Sequence, residues 1–547
     1  MAAIGSNGRY PQHCAANIEQ QFGISNELVN LPQAEEITLP VINKKGDSQV
    51  QLETITEIQY PHDTFSFLSH NDPARLAQVF GTKELVASFW AQQDLSDPKL
   101  YKHPLLDVPN YATTCFPGKV HSDGVVISNK DTFHAISTMS FLATGPVLET
   151  AQYFGGMVKA ACCTEDVHGV DTMKILYRRF AWSLNACLIN RHPIVDWDLH
   201  PWTRPGDEYR AQMANQKLNE DDMFYATLGV CADLDELCNE FKLHHFNSNY
   251  PCFWCPADVY LQPWTDLSSM SCCCLQAYKP PGDGTPLLPP TDHPIWGILG
   301  VGLFSVLWDI LHGLDLGPTQ HMVGNVLMDF CDNPALGPDR ATRLGKVWAA
   351  MQPIYKALEV ESRLDNLKLS MFCKADAPNS EFPKLKSKAN EARHVLPCLL
   401  ELLQKPEFQN PDEDPAYVEN RFAAMYYLCR FYGIVDCPDM FLSAAAAQEG
   451  ERCINSFLDH YLWLTDHAIA HNKVRWQVTI KFHYLKHAGP LLKFLNPKHG
   501  STYPFESFVG KIAKIAHSSS YGKPSYMIGR FMLKKLQMVS IVNQRRS

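Results

Sequence analysis

Three acids far apart in the chain, Asp123, Asp233 and Glu506, have the residue type and local setting for divalent-metal chemistry on phosphate. Asp123 lies in Val120-His-Ser-Asp123-Gly-Val-Val-Ile127, which reads as a strand that carries it to a turn. Asp233 follows the β-prone run Phe224-Tyr-Ala-Thr-Leu-Gly-Val-Cys231. Glu506 closes Tyr503-Pro504-Phe505-Glu506. Carboxylates drawn together repel and resist ionisation unless a dication lies between them. Hard oxygen ligands select Mg²⁺ or Mn²⁺. Two such ions about 3.5–4 Å apart activate a water or a 3′-hydroxyl and stabilise the leaving oxygen of a phosphodiester. The plain alternative is that these are three of 58 acids with no common site. Glu506 is set apart by its surroundings: His471 to Ser547 holds 14 of the 48 Lys/Arg and only this one acid. A basic segment in a chain of net charge −10 argues for a local nucleic-acid surface rather than a protein that coats DNA.

Cysteine and histidine offer a second chemistry. Cys252-Phe-Trp-Cys255, between Pro251 and Pro256, puts two thiolates on one tight turn, as tetrahedral Zn²⁺ requires. Asp309 and His312, three apart on a helix, point the same way and are the expected second pair. The alternative is a reduced Cys pair, with Asp309 and His312 as cap or core groups. His483 and His487, at i and i+4, also have a metal-binding spacing but are read as structural. Gly155-Gly156 and Gly300-Val-Gly302 lack the Lys or the spacing of a phosphate loop, and no GxSxG is present.

These residues need elements to hold them. A chain of 547 residues predicts more than one domain, or one with a large insert, and 46% apolar content predicts a packed core. The 18 cysteines include Cys162-Cys163 and Cys272-Cys273-Cys274, which suit reduced thiols. No signal peptide is read at the N-terminus, so an intracellular, reducing compartment is expected. The longest uncharged apolar run, 295–308, is 14 residues and shorter than the ~18–20 a bilayer requires, so no membrane partner is expected. It reads as a buried strand or helix. Residues 1–105 are of uncertain fold, with helical patterns in 73–93. Strands are predicted at 120–127, 133–142 and 224–231, and helices at 148–161, 171–189 and 234–243. A loop is predicted at 196–222. Asp123 and Asp233 thus fall at strand ends, where α/β proteins build sites. The predicted division is 1–105, 106–250, 251–470 and 471–547. Residues 280–290 read as a loop, followed by helices at 343–358, 390–403, 418–431 and 444–464, then β-like texture at 476–482. A last helix at 504–516 carries the apolar stripe Phe505, Phe508, Val509, Ile512, Ala516. Glu506 lies just off that stripe, with Lys511 and Lys514 on the far side.

Four short motifs in this order resemble the transposases of CACTA (En/Spm-like) DNA elements and related transposase-derived proteins. They are Ser122-Asp123-Gly124; Asp233 followed by Cys252-x-x-Cys255; Asp309-x-x-His312 with Gly324-Asn-Val-Leu327; and Tyr503-Pro-Phe-Glu506. The resemblance implies an α/β fold: a ribonuclease H-like mixed sheet with flanking helices, interrupted by a large, mainly helical insertion between the second and third acids. It implies DDE-type attack on DNA phosphodiesters, with Asp123 and Asp233 holding Mg²⁺ or Mn²⁺ and Glu506 completing the site. Lys511, Lys514, Lys523 and Arg530 would meet the phosphates, and a nuclear location would follow. A homo-oligomer is left open. The chain departs from the pattern in lacking a recognisable N-terminal DNA-binding domain. The alternatives are therefore a catalytically inactive transposase-derived protein that binds nucleic acid or protein, and an unrelated zinc-stabilised helical scaffold.

Overall fold

The protein is described from a computed structural model, which covers residues 32, 34–42, 49–128, 131–268, 291–360, 362–374, 377, 379–520 and 524–544. The expected loop at 280–290, Cys272 to Cys274 and Lys523 lie outside these residues. The chain is mixed α/β and packs as two units. The first joins the part before His244 to 291–306 and to the part from Thr502 onward. The second holds 244–268 and 307–501.

In the first unit β1 (Glu35–Val41) and β2 (Gln51–Ile58) form an antiparallel hairpin. Helices α1 (Pro61–Asn71), α2 (Pro73–Phe80) and α3 (Lys83–Gln92) follow, with Pro at the start of the first two. The main sheet holds β3 (Cys115–Val126), β4 (Thr132–Ser140), β5 (Gln152–Val158) and β6 (Phe224–Cys231), in the order β5-β4-β3-β6. Strands β3, β4 and β5 are an antiparallel meander, and β6 lies parallel to β3. All eight residues of β6 are buried, as the continuous apolar run of a parallel strand requires. Between β5 and β6 runs helix α4 (Thr172–Ile189), capped by the Asp171 carboxylate and ended by Asn190 in the left-handed region.

Two local expectations are corrected. The segment 148–161 is mainly strand: Tyr153, Phe154, Met157 and Val158 are all buried, and Gly155-Gly156 disfavours a helix. A Cβ on Gly156 would lie 2.2 Å from the His134 carbonyl oxygen, so this glycine serves close strand approach. The helix expected at 234–243 is present but shorter, over 234–240, with π-type hydrogen bonding at Glu236–Glu240. The run 295–308 is neither strand nor helix but two 3₁₀ turns, with an isolated parallel bridge from Val306 to Val230.

The second unit is mainly helical: α5 (Gln320–Asp332), α6 (Arg340–Ala357), α7 (Ala389–Leu403), α8 (Pro415–Val435), α9 (Ala444–Ala470) and α10 (Ile480–Leu491). The β-like texture at 476–482 pairs with no strand. Its buried Trp476 is held instead by side chains, with its N–H donating to Asn325 Oδ1 (3.0 Å) and its ring N–H to the Tyr417 hydroxyl (2.9 Å). Helix α10 then begins at Ile480. The chain returns to the first unit with α11 (Tyr503–Ser520) and α12 (Met532–Gln544).

Candidate active site and metal centre

Strand pairing puts two of the three acids side by side. His121 of β3 is in register with Cys231 of β6. Asp123 lies two residues further along β3 and Asp233 two residues past the end of β6, so parallel neighbours carry both acids to the same end of the sheet. Helix α11 delivers the third. Lys119, His121 and Asp123 alternate onto one face of β3. The Phe505 ring stacks flat on His121, with centroids 4.1 Å apart and planes 1° apart, and the Lys119 ammonium lies 5.4 Å over the same ring. Further along α11, the His517 ring nitrogen bonds the Ile127 carbonyl at 2.7 Å. Glu506, next to the pinned Phe505, is thereby held in the neighbourhood of Asp123.

The electrostatics report the same meeting. The Asp123 carboxyl is pushed up from 3.8 to about 7, by burial first, then by the charges of Asp233 and Glu506, then by Glu236, with His134 opposing. Asp233 Oδ1 accepts the Glu236 N–H at 2.7 Å, which fixes the orientation of that carboxylate. Glu506 is exposed and Asp123 half-buried, so the group is open to solvent on the Glu506 side. Three carboxylate donors are the ligand chemistry of Mg²⁺ or Mn²⁺.

On the opposite face of β3 lies a buried network that sequence reasoning did not single out. Ser122 Oγ is 2.9 Å from His134 Nε2 and 2.5 Å from the Tyr177 hydroxyl. Glu236 Oε1 accepts from His134 Nε2 at 2.7 Å and from the Tyr177 hydroxyl at 3.2 Å. Burial alone would lower the His134 pKa and raise that of Glu236. Their mutual attraction overrides it: His134 is held above its ordinary value and Glu236 below. The attraction thus favours the ionised form of the pair, which lies behind the strands that carry the acids. The signal in the sequence was faint, since Glu236 stands three residues after Asp233 in an acidic turn. Breaking a buried pair strands its partner, so Glu236→Gln is expected to cost about 3–5 kcal/mol in denaturant unfolding. Lys83→Ala, which removes the exposed Lys83–Asp221 pair, is expected to cost under about 1 kcal/mol. Equal effects would contradict the ionised pairing.

In the second unit the Cys252-x-x-Cys255 turn meets helix α10. Cys252, Cys255, His483 and His487 are all buried, with one donor atom of each within 4.8 Å of the others. Cys252 Sγ lies 3.4 Å from His487 Nε2, Cys255 Sγ 3.3 Å from His483 Nε2, and the two Nε2 atoms are 3.0 Å apart. A zinc tetrahedron built on ordinary bond lengths has edges of about 3.5 Å between S and N and about 3.3 Å between nitrogens. His483 Nδ1 bonds the Trp264 carbonyl at 2.9 Å, which leaves Nε2 free to ligate. The Trp254 N–H donates to Cys252 Sγ at 3.4 Å.

This corrects the expected second pair. Asp309 and His312 are not among the four grouped donors. Their side chains serve each other, with His312 Nδ1 2.6 Å from Asp309 Oδ2. The Asp309 carboxylate also accepts the Leu311 and His312 N–H groups and the Ser501 hydroxyl, as a turn cap does. His483 and His487, read as structural, take the place. The i, i+4 spacing was the available signal, since it puts both rings on one helix face.

A further group, His62, Asp63 and His192, has donor atoms as close together. There the Arg210 guanidinium binds both Asp63 oxygens at 2.7 Å and fills the cation's position. Of the basic residues, Lys511 and Lys514 are exposed on α11, away from its buried stripe. Arg530 is half-buried and bonded to Glu36 at 2.8 Å. Among the described residues no helix is long and apolar enough to cross a membrane. No protein-family model matches the chain, and no curated protein matches it.

Proposed function

We propose that the chain is a metal-dependent enzyme of DNA strand cleavage and transfer, of the transposase type that its motifs resemble, built on a ribonuclease H-like core. The observation that carries this reading is the convergence of Asp123, Asp233 and Glu506, separated by 110 and 273 residues in sequence. The charges of Asp233 and Glu506 raise the pKa of Asp123, so the bare site disfavours its own charged form, and a bound dication would turn that repulsion into attraction. The order of strands, helices and strand, with a helical block between the second and third acids, is the layout the resemblance implies.

In this reading Asp123 and Asp233 hold Mg²⁺ or Mn²⁺ from adjacent strand ends, and Glu506 closes the site from its helix. The metal supplies a polarised phosphate and an activated water or 3′-hydroxyl. The oxygen of that nucleophile bonds to phosphorus as the bond to the leaving 3′-oxygen breaks. The nucleophile's proton would leave to solvent on the open Glu506 side, since metal binding displaces the proton from Asp123. Ser122, His134, Tyr177 and Glu236 hold the strand ends rigid from behind. Lys511 and Lys514 meet the phosphate backbone beside Glu506. The buried Cys252, Cys255, His483 and His487 form a closed four-ligand set, the mark of structural zinc.

The test is nicking of supercoiled DNA by the full chain with Mg²⁺ or Mn²⁺. Cleavage that a chelator stops and added Mn²⁺ restores supports the assignment. Salt-sensitive DNA binding without cleavage, unchanged by chelator and by Asp123→Ala, would replace it with the non-catalytic binding protein.

A further inference from the structure

Helix α11 carries Glu506 and two cations on its exposed side. Its direction is fixed at two points: Phe505 stacks on His121, and the His517 ring nitrogen bonds the Ile127 carbonyl. The helix rises about 18 Å from Phe505 to His517, and β3 and its exit cover about 20 Å from His121 to Ile127, so α11 runs alongside β3 in the same direction. Counted from Glu506, every fourth residue falls close to one line: Glu506, Gly510, Lys514. Lys511 flanks that line. All four are exposed, and Lys511 and Lys514 form no ion pair or hydrogen bond among the described residues.

Gly510 sits in the interior of this 18-residue helix, where glycine is less favourable than alanine because it loses more backbone freedom. No neighbour demands it: a Cβ built on Gly510 meets nothing within 4 Å. By contrast, a Cβ on Gly450 of α9 would lie 2.7 Å from Leu492, so that glycine serves packing. The room at Gly510 lies between an acid of the metal site and an unpaired cation. Lys514 stands about 12 Å along the helix from Glu506, with Lys511 one turn before it. Two cations spread along that distance suit an extended anion rather than a compact one, and a run of phosphates is such an anion. We propose that the backbone of a DNA strand lies directly against α11 at Gly510, with its phosphates on Lys511 and Lys514, on its way to the three acids. The path toward the acids rests on the cleavage reading above; the contact at Gly510 is what is added.

The experiment is binding of a short mixed-sequence DNA duplex to the full chain, with chelator present and over a range of salt. The variants are Gly510→Leu, Lys514→Ala and, as control, Gly345→Leu. Gly345 lies in α6, is exposed, and its Cβ would also meet nothing within 4 Å. Leucine is a good helix former, so both leucine variants are expected to melt at or above the temperature of the parent chain. Gly510→Leu should weaken binding about tenfold or more, and Gly345→Leu should leave it unchanged. Lys514→Ala should reduce the slope of log affinity against log salt by about 0.7–0.9. Nicking by Gly510→Leu with Mg²⁺ should fall at limiting DNA and recover in excess DNA, as lost binding does and lost chemistry does not. No salt-dependent binding by the parent, parental binding by both Gly510→Leu and Lys514→Ala, or equal losses in the two leucine variants overturns the proposal. If the parent nicks DNA in any of those events, the three-acid site stands without this contact. If Gly510→Leu loses binding and no protein nicks, the contact stands and the cleavage reading falls.

Discussion

Asp233→Asn is expected to lower metal-dependent nicking by on the order of 10³-fold or more while leaving the fold intact. The asparagine side-chain oxygen can still accept the Glu236 N–H that Asp233 accepts now, so the local turn is kept. What is lost is one of the anionic ligands. Asp123→Asn separates function from stability even more sharply. Its carboxyl titrates near 7 against 3.8 unperturbed, so between those values the native state holds a proton that the unfolded chain has released. Stability of the metal-free protein therefore falls as pH rises from about 4 to about 7. Removing the charge should make the metal-free protein about 1–3 kcal/mol more stable at pH 8, after allowance for solvent screening. The same substitution should erase the rise in melting temperature that Mn²⁺ gives the parent chain. Because the metal competes with that proton, Mn²⁺ affinity should climb with pH up to about 7 and level off above it. Full nicking activity in Asp233→Asn, or an Mn²⁺ affinity flat from pH 5 to 8, would sink the carboxylate site.

The second large effect concerns the Cys252, Cys255, His483 and His487 centre. One zinc per chain is expected from metal analysis of the purified protein. Structural zinc sites carry apparent binding energies of about 10–16 kcal/mol in small peptides, comparable with the whole stability of a domain. Removal of zinc, or His487→Ala, is therefore expected to melt the packing of the turn at Cys252 against α10. Loss of helical circular dichroism and new protease sensitivity within 244–268 and 480–491 would report it. His312→Ala is the control, since its ring bonds Asp309 and belongs to no grouped donor set. It should leave zinc content at one per chain. A protein purified without zinc, or one whose melting ignores a strong chelator, would remove the metal from this centre.

Much of the architecture was legible because burial repeats with the period of the element that carries it. The run Phe224–Cys231 is continuously apolar and is a buried parallel strand. The stripe Phe505, Phe508, Val509, Ile512, Ala516 is the buried face of α11, as its spacing predicts. The helices of the second unit were likewise visible, with ends displaced by a few residues. Periodicity misled where tertiary context outweighed it. The segment containing Gly155-Gly156 spaces its apolar residues in a way that fits a helix, yet it pairs with β4 because a Cβ has no room against the His134 carbonyl. Trp476 sits in β-like texture, yet its partners are Asn325 and Tyr417 rather than another strand.

From the sequence alone came the residue types, the strand ends that present Asp123 and Asp233, the helix that presents Glu506 and the turn that pairs Cys252 with Cys255. The tertiary structure decided which groups meet. Asp309 with His312 and His483 with His487 are equally sound pairs by local spacing. Only packing brings α10 to the Cys252 turn and spends Asp309 on a cap. The buried His134–Glu236 pair was hidden for the same reason, because it depends on burial and on a partner 102 residues away. Local propensity acts over a turn or a strand, whereas ligation and charge coupling act through space, and the chain fixes those distances only once it has folded.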